Sequence, residues 1–222
     1  MLQAGFAKID ITPPLGVSVA GYFRKRYAKG VLDPLLATAV VFDDGEKRSA
    51  LLSLDVIGIM QTVMTPIREA VAKRINADTD GVFICCTHTH LGPIIADRDS
   101  EDTNHEYVNW LINRICDVAQ MAAEDLADAR MLYTRGEVKD VAFIRRYRMK
   151  DGTTRTNPGL QNPDVKEPIG TPDENSTLII LKRENKPEIG IVNFQVHPDV
   201  ISGELLSADY PKFVRDTYEK LV

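Results

Sequence analysis

Short apolar runs broken by turn residues recur along the chain and predict β-strands. Asp43, Asp44 and Gly45 form a turn signal between two of these runs, which favours an antiparallel hairpin. In order, the predicted strands cover residues 5–11, 37–42, 49–56, 82–86, 131–134, 141–145, 177–181 and 188–196. The pattern therefore supplies enough strands for a sizeable sheet.

Helical spacing of apolar residues appears between these runs. Thr65 followed by Pro66 predicts an N-cap and the first turn of a helix. Thr103 with Glu106 three residues later is a capping-box signature, and apolar residues follow it at spacings of three and four. A last helix is predicted over about 208–221. Because hairpins and crossover helices both occur, we predict an α/β fold with a mixed β-sheet flanked by helices.

Residues 150–175 are rich in Gly, Pro, Thr, Asn and Asp and show almost no periodicity. This composition predicts a long loop, and long loops in compact domains are often functional. No internal repeat or linker interrupts the chain, so we predict a single α/β domain over residues 1–222. The last predicted helix runs to Val222 without a stop residue, from which we expect the chain to continue.

Composition and charge narrow the possible partners. The net charge of -5 and the pI of about 5.4 argue against nucleic acid, which usually binds a basic face. The first residues lack the pattern of a signal peptide, and no apolar run approaches the roughly 20 residues that a membrane span needs. We therefore expect a cytoplasmic protein without a transmembrane segment. The odd set Cys85, Cys86 and Cys116 favours reduced, buried thiols over a metal or redox role.

Histidines at predicted strand ends are the main candidates for chemistry. His88 and His90 follow the strand VFICC, and side chains at i and i+2 share a face if the backbone stays extended. His197 ends the apolar run IGIVNFQV, so two strands deliver imidazoles at their carboxyl ends, where open α/β sheets bind ligands. Imidazole is a common zinc ligand. The alternative is that backbone carbonyls satisfy these rings, and His105 is expected at the surface.

Two further residues lie close to these histidines in the predicted topology. Asp55 ends the strand ALLSLD and would share the histidine rim if that strand runs parallel to the VFICC strand. It could then orient a histidine, although capping a turn or the next helix is an equal alternative. Arg145 belongs to a short basic cluster in which only alternate side chains can face a site, and an exposed edge strand is the alternative there.

Several segments together resemble the neutral, non-lysosomal ceramidase family and its shorter bacterial relatives. The opening AGFAKIDITPPLGVSVAGY and the segments GVLDPLLATAVVFDDG and ALLSLDVIG are similar to the start of that family. THTHLGP resembles its THTHSGP motif, with Leu91 in place of Ser. FIRRYRMKDGTTRTNP resembles its Asn-Arg segment, with Ile144 in place of Asn, and NFQVHPDVISGELLSADYP resembles the segment that carries its later histidine.

The resemblance implies one Zn²⁺ ion bound by His88 and His197. It makes His90 a catalytic neighbour that hydrogen-bonds substrate or the metal-bound water, and Arg145 a substrate contact. Family members complete the metal shell with a Glu and a Tyr much further along, and no segment here matches that region. We therefore expect the N-terminal part of a longer ceramidase-like catalytic domain.

The resulting prediction is a zinc-dependent hydrolase of amide (N-acyl) bonds, acting on a small-molecule or lipid-amide substrate. Whether this chain alone is active stays open, as does its oligomeric state. One alternative is a metal-dependent hydrolase of a carbohydrate-derived or other small polar substrate, which the polar 150–175 segment would suit. The other is a non-catalytic binding domain with an incomplete metal site.

Overall fold

The computed structural model describes residues 1–96 and 102–222. Its helices are α1 (Gln61–Ile75), α2 (His105–Glu124) and α3 (Tyr210–Leu221), with a short 3₁₀ turn at Thr79–Gly81. Its strands are β1 (Gln3–Asp10), β2 (Gly30–Val31), β3 (Leu36–Asp43), β4 (Arg48–Leu54), β5 (Val82–Cys86), β6 (Ala127–Glu137), β7 (Arg146–Met149), β8 (Thr154–Thr156), β9 (Val165–Pro168), β10 (Asn175–Arg183), β11 (Ile189–Asn193) and β12 (Leu205–Leu206).

The main sheet has the strand order β11-β10-β6-β1-β3-β4-β5. Strand β3 pairs antiparallel with β1 and with β4, so the predicted hairpin is confirmed. Strand β4 runs parallel to β5, and α1 supplies the crossover between them. The predicted α/β class with a mixed sheet flanked by helices is therefore confirmed.

The chain divides into two compact units. The first unit comprises Met1–Met131, Leu181–Ile189 and His197–Val222, and the second comprises Leu132–Ile180 and Gly190–Val196. The prediction of one domain over residues 1–222 stays a prediction.

The second unit contains a three-stranded sheet in the order β8-β7-β9. The prediction of a long loop over 150–175 is therefore wrong, because β8 and β9 lie within it. Both strands are short and largely exposed, so no apolar alternation revealed them. The predicted strand over 141–145 is also wrong, since β7 begins at Arg146.

The main core of the first unit forms between the sheet and the helices α1 and α2. Leu52 and Leu54 of β4 are fully buried there, as are Ile67 of α1 and Leu111 and Ile115 of α2. Burying each of these side chains contributes roughly 1.5–3 kcal/mol. The core thus fixes the parallel pair β4–β5, whose carboxyl ends lead into the histidine-bearing segment.

Both predicted helix starts shift in the structure. Helix α1 begins at Gln61 rather than at Thr65, and Pro66 lies inside it. A proline there removes one backbone hydrogen bond but does not prevent the preceding turn, which Met60 closes by accepting from the Val63 N–H. Helix α2 is confirmed, but its N-cap is Asn104, whose Oδ1 accepts the Tyr107 N–H at 2.9 Å.

All three cysteines are free thiols, with Cys116 buried and Cys85 and Cys86 partly buried. Burial raises the pKa of the Cys86 thiol to about 12, so at neutral pH it stays protonated. None of the helices in the described ranges is both long and apolar enough to cross a bilayer.

Strand β1 packs so closely on α2 that Gly5 leaves no room for a side chain. A Cβ at this position would come 1.9 Å from the carbonyl oxygen of Ala122. We expect Gly5→Ala to lower the free energy of unfolding by about 3 kcal/mol, because backbone rather than a flexible side chain must move. Gly136→Ala in β6, where nothing lies within 4 Å, is the matched control. Equal urea midpoints for the two variants would contradict this account of the packing.

Candidate metal centre

Three histidines of the first unit converge on one point. One ligand nitrogen from each of His88, His90 and His197 lies within 4.8 Å of the others. The Nε2 atoms of His90 and His197 are 3.2 Å apart, and the ring of His88 lies 5.0 Å from that of His197, centroid to centroid. The predicted convergence of His88 and His197 is thus confirmed as geometry.

The backbone reaches this arrangement by a different route from the predicted one. His88 has a φ of 73°, in the left-handed region, so the segment after β5 is not extended. The N–H of His88 donates to the carbonyl of Val56, which ties this turn to the chain leaving β4. His197 lies four residues beyond the end of β11 rather than at its last position. The parallel pairing of β4 and β5 therefore brings the segments that follow these two strands together, as predicted. The orientation of the His88 ring, however, is set by the left-handed backbone conformation of that residue.

The ring of His88 is already oriented as a ligand would be. Its Nδ1 lies 2.6 Å from the carbonyl oxygen of Ile57. A carbonyl can only accept, so the proton lies on Nδ1 and Nε2 keeps its lone pair. A ring hydrogen bond of this kind is typical of metal-binding histidines, because it fixes both tautomer and orientation.

His90 is held in a tightly fitted loop. The preceding Thr89 is fully buried and donates its hydroxyl to the carbonyl of Ser207 at 2.7 Å. On the other side, a Cβ at Gly21 would come 2.4 Å from Nδ1 of His90, and Gly21 has a φ of +103°. Glycine is required there for both reasons. Burial lowers the pKa of His90, which favours the neutral imidazole that binds metal.

The buried side chain of Arg26 stabilises the loop that carries His90. Only 2% of its surface is exposed, and its guanidinium donates to the carbonyls of His90 and Gly203 at 2.7 and 2.8 Å. It also donates to the carbonyl of Ala20. One side chain thus connects three loops around the histidines. Nothing in the sequence pattern identified it, because an arginine in a turn-rich segment is normally exposed.

Asp55 does not take the histidine-orienting role that the sequence indicated. Its Oδ1 and Oδ2 accept from the guanidinium of Arg215 in α3 at 2.9 and 2.6 Å, and Oδ2 also accepts from the Leu36 N–H. The carboxylate is fully buried. The alternative, a carboxylate that caps a turn or the next helix, does not describe these contacts either, because Asp55 joins the sheet to α3 through Arg215.

The remaining candidates belong to other segments of the chain. Arg145 belongs to the second unit, directly before β7, and its side chain is exposed. Its carbonyl accepts from the Asn157 N–H. The proposed contact of Arg145 with substrate therefore stays a prediction. His105 is exposed in the first turn of α2, as expected.

Two side chains beside His90 escaped the sequence reasoning. The Tyr22 hydroxyl donates to Oδ1 of Asp199 at 2.5 Å, and Asp199 Oδ1 lies 3.9 Å from Nδ1 of His90. The spacing of Asp199, two positions after His197, was the available signal. Its approach to His90 depends on the turn that follows His197.

Comparison with known proteins relates the chain to one protein family. The family model described as neutral/alkaline non-lysosomal ceramidase, N-terminal, matches residues 2–211. The neutral ceramidase from Pseudomonas aeruginosa is similar in structure, with a TM-score of 0.69 and 22% identity over 94% of this chain and 34% of that chain. A structure titled "Ceramidase complexed with C2" gives a TM-score of 0.71 and 20% identity over 94% and 33%. No curated protein sequence matches the chain.

This chain spans about a third of the length of those two solved chains. Identities near 20% show a shared fold and no more. The family model, in contrast, covers nearly the whole sequence, including all three histidines of the cluster. The chain therefore belongs to the neutral/alkaline non-lysosomal ceramidase family, whose N-terminal region it matches.

Proposed function

We propose that this chain is part of a zinc-dependent hydrolase of N-acyl amide bonds, with ceramide-like lipid amides as its substrate class. The observation that carries the proposal is the convergence of His88, His90 and His197 within 4.8 Å. Family membership supports a hydrolase, and the donor set supports a transition metal.

The donor atoms suit zinc in chemistry and in spacing. Zinc binds imidazole nitrogen at about 2.0–2.1 Å, so two tetrahedral ligands lie about 3.3 Å apart. The Nε2 atoms of His90 and His197 are separated by 3.2 Å. Without a metal, one of these rings can donate a hydrogen bond to the other at this distance, and the spacing supports a cluster compact enough to surround one ion.

In this proposal His88 and His197 bind the ion, and His90 acts beside it as the general base. When bound, zinc would polarise the scissile carbonyl and lower the pKa of a water molecule. The Ile57 carbonyl keeps His88 in the tautomer that leaves Nε2 available. His90, held by its buried loop, presents Nε2 on the same side and can accept a proton from the attacking water.

A groove beside the histidines offers space for part of a substrate. It has a volume of about 450 Å³ and is lined by Tyr22, Phe23, Arg24, Ser202 and Gly203. The ring of Tyr22, which lines this groove, lies 5.6 Å from that of His90. The exposed ring of Phe23 gives one apolar wall for an acyl chain.

We further propose that anionic ligands and the remaining pocket wall come from protein outside these 222 residues. Three neutral imidazoles supply no negative charge, whereas hydrolytic zinc sites often include a carboxylate. The solved relatives are about three times as long as this chain. On this proposal the chain alone binds zinc weakly and hydrolyses amides slowly.

The test is to measure zinc content and turnover for this chain and for the longest natural protein that contains it. Fluorogenic N-acylsphingosine is the lipid substrate, and an N-acetylated sugar is the polar alternative. We expect stoichiometric zinc and lipid-amide hydrolysis in the longer protein, both removed by a chelator and restored by Zn²⁺. Absence of zinc from both proteins would overturn the proposal, and turnover of the sugar alone would reassign the substrate.

A further inference from the structure

We propose that Asp199, held by Tyr22, is the positioning residue that orients His90 and keeps its proton on Nδ1. The catalytic meaning of this inference rests on the proposed function, because it presents Nε2 of His90 to the reaction. It assigns to Asp199 the role that the sequence had suggested for Asp55.

Asp199 is tied to both histidines of the pair. Its backbone N–H donates to the carbonyl of His197 at 3.0 Å, so the residue closes a tight turn directly after that histidine. Oδ1 of its side chain lies 3.9 Å from Nδ1 of His90. A single residue therefore couples the position of the His197 backbone to the orientation of the His90 ring.

Tyr22 fixes the carboxylate in this position. Its hydroxyl donates to Oδ1 of Asp199 at 2.5 Å, and this hydrogen bond raises the pKa of Tyr22, which keeps the phenol a donor. The guanidinium of Arg26 lies over the tyrosine ring at 4.1 Å from its centroid, which holds the ring in place. The tyrosine ring in turn meets the edge of the His90 ring.

Nδ1 of His90 needs such a partner. The atom is buried and makes no well-formed hydrogen bond within the described ranges of the chain, where the Gly21 backbone and the Asp199 carboxylate lie beside it. An unpaired buried polar group is destabilising, so a nearby acceptor favours a proton on this nitrogen. Oδ1 of Asp199 lies 3.9 Å from this nitrogen, and a shift of under 1 Å would bring the two atoms to hydrogen-bonding distance.

The proton on Nδ1 determines what the other nitrogen can do. In a neutral ring only one nitrogen carries a hydrogen, so Nε2 of His90 is left as an acceptor facing His197. A carboxylate behind an imidazole is a recurring way to fix its tautomer and ring angle. Without it, the ring could present an N–H toward the cluster and repel a cation there.

The tautomer can be measured directly on the metal-free chain. Two-bond ¹H–¹⁵N spectra of the imidazoles distinguish a proton on Nδ1 from one on Nε2. The chain contains four histidines, so His90→Gln identifies the signal of His90. We expect the Nδ1–H form in the unaltered chain, and a change to predominantly Nε2–H in Asp199→Ala. Tyr22→Phe should shift the same signal in the same direction by a smaller amount.

Glu204→Ala is the matched control, because Glu204 is a carboxylate that pairs with Lys29 on an exposed loop of the same unit. It should leave the His90 signal unchanged. An Nε2–H form in the unaltered chain, or an unchanged signal in Tyr22→Phe and in folded Asp199→Ala, would overturn the inference. If Asp199→Ala does not fold, Tyr22→Phe decides. Because the tautomer of His90 is measured without metal, this result tests the role of Asp199 independently of the proposed zinc site.

Discussion

Zinc affinity is expected to fall by at least about 100-fold when His88 or His197 is replaced with alanine. Each substitution removes one imidazole from a cluster whose donor nitrogens lie within 4.8 Å. The loss of a direct ligand should exceed the 10- to 100-fold effect typical of residues that only orient a ligand. Competition with a chromophoric chelator measures the dissociation constant of each variant, even where binding is weak.

His105→Ala is the matched control, because His105 is exposed in the first turn of α2 and belongs to no cluster in the described structure. Its affinity for zinc should equal that of the unaltered chain. His90→Ala separates the roles within the cluster. Retained zinc affinity with lost turnover in the longer protein would support a proton-handling role, whereas lost affinity would make His90 a third ligand. Equal affinities for all four variants would contradict a histidine-bound ion.

Asp55→Ala is expected to lower the free energy of unfolding by about 3 kcal/mol or more. The carboxylate is 1% exposed and forms two hydrogen bonds to Arg215, so its removal leaves a partly buried guanidinium without its counter-charge. The backbone N–H of Leu36 loses its acceptor as well. The midpoint and slope of urea unfolding, followed by circular dichroism, measure the change.

Asp216→Ala provides the comparison on α3 itself. Asp216 pairs with Lys212 at the helix surface and its side chain is 42% exposed, so we expect a change within about 0.5 kcal/mol. The zinc affinity of folded Asp55→Ala then tests the corrected role. If Asp55 only joins α3 to the sheet, affinity is retained at low temperature. A selective loss of affinity in a stable variant would restore the histidine-orienting role.

The sequence predicted those elements whose apolar residues, spaced as in a strand or a helix, are also the residues that the fold buries. The apolar runs of β3, β4 and β5 and the periodic face of α2 all pack into the main core. The strands of the 150–175 segment lack such a face, because β8 and β9 are largely exposed and are held by backbone pairing to β7. Periodicity cannot detect a strand that buries neither side.

The histidine cluster could be predicted for a related reason. Parallel strands end at a common edge, so His88 was expected there from the position of β5 alone. The choice of carboxylate could not be predicted in the same way. Asp55 was expected beside the histidines and Asp199 was not considered. Only the placement of Arg215 and Tyr22 shows that Asp55 is engaged by a cation while Asp199 is held beside His90.

The buried guanidinium of Arg26 has a consequence for how an ion would enter. By binding the carbonyls of Ala20, His90 and Gly203, it orders the backbone around the cluster without any metal. In zinc fingers the ion must organise an unfolded chain, and part of its binding free energy is consumed in doing so. Here the backbone around the donor nitrogens is ordered without the ion, so little of the binding free energy should be consumed in organising the chain, and this unit should keep its fold when zinc is removed.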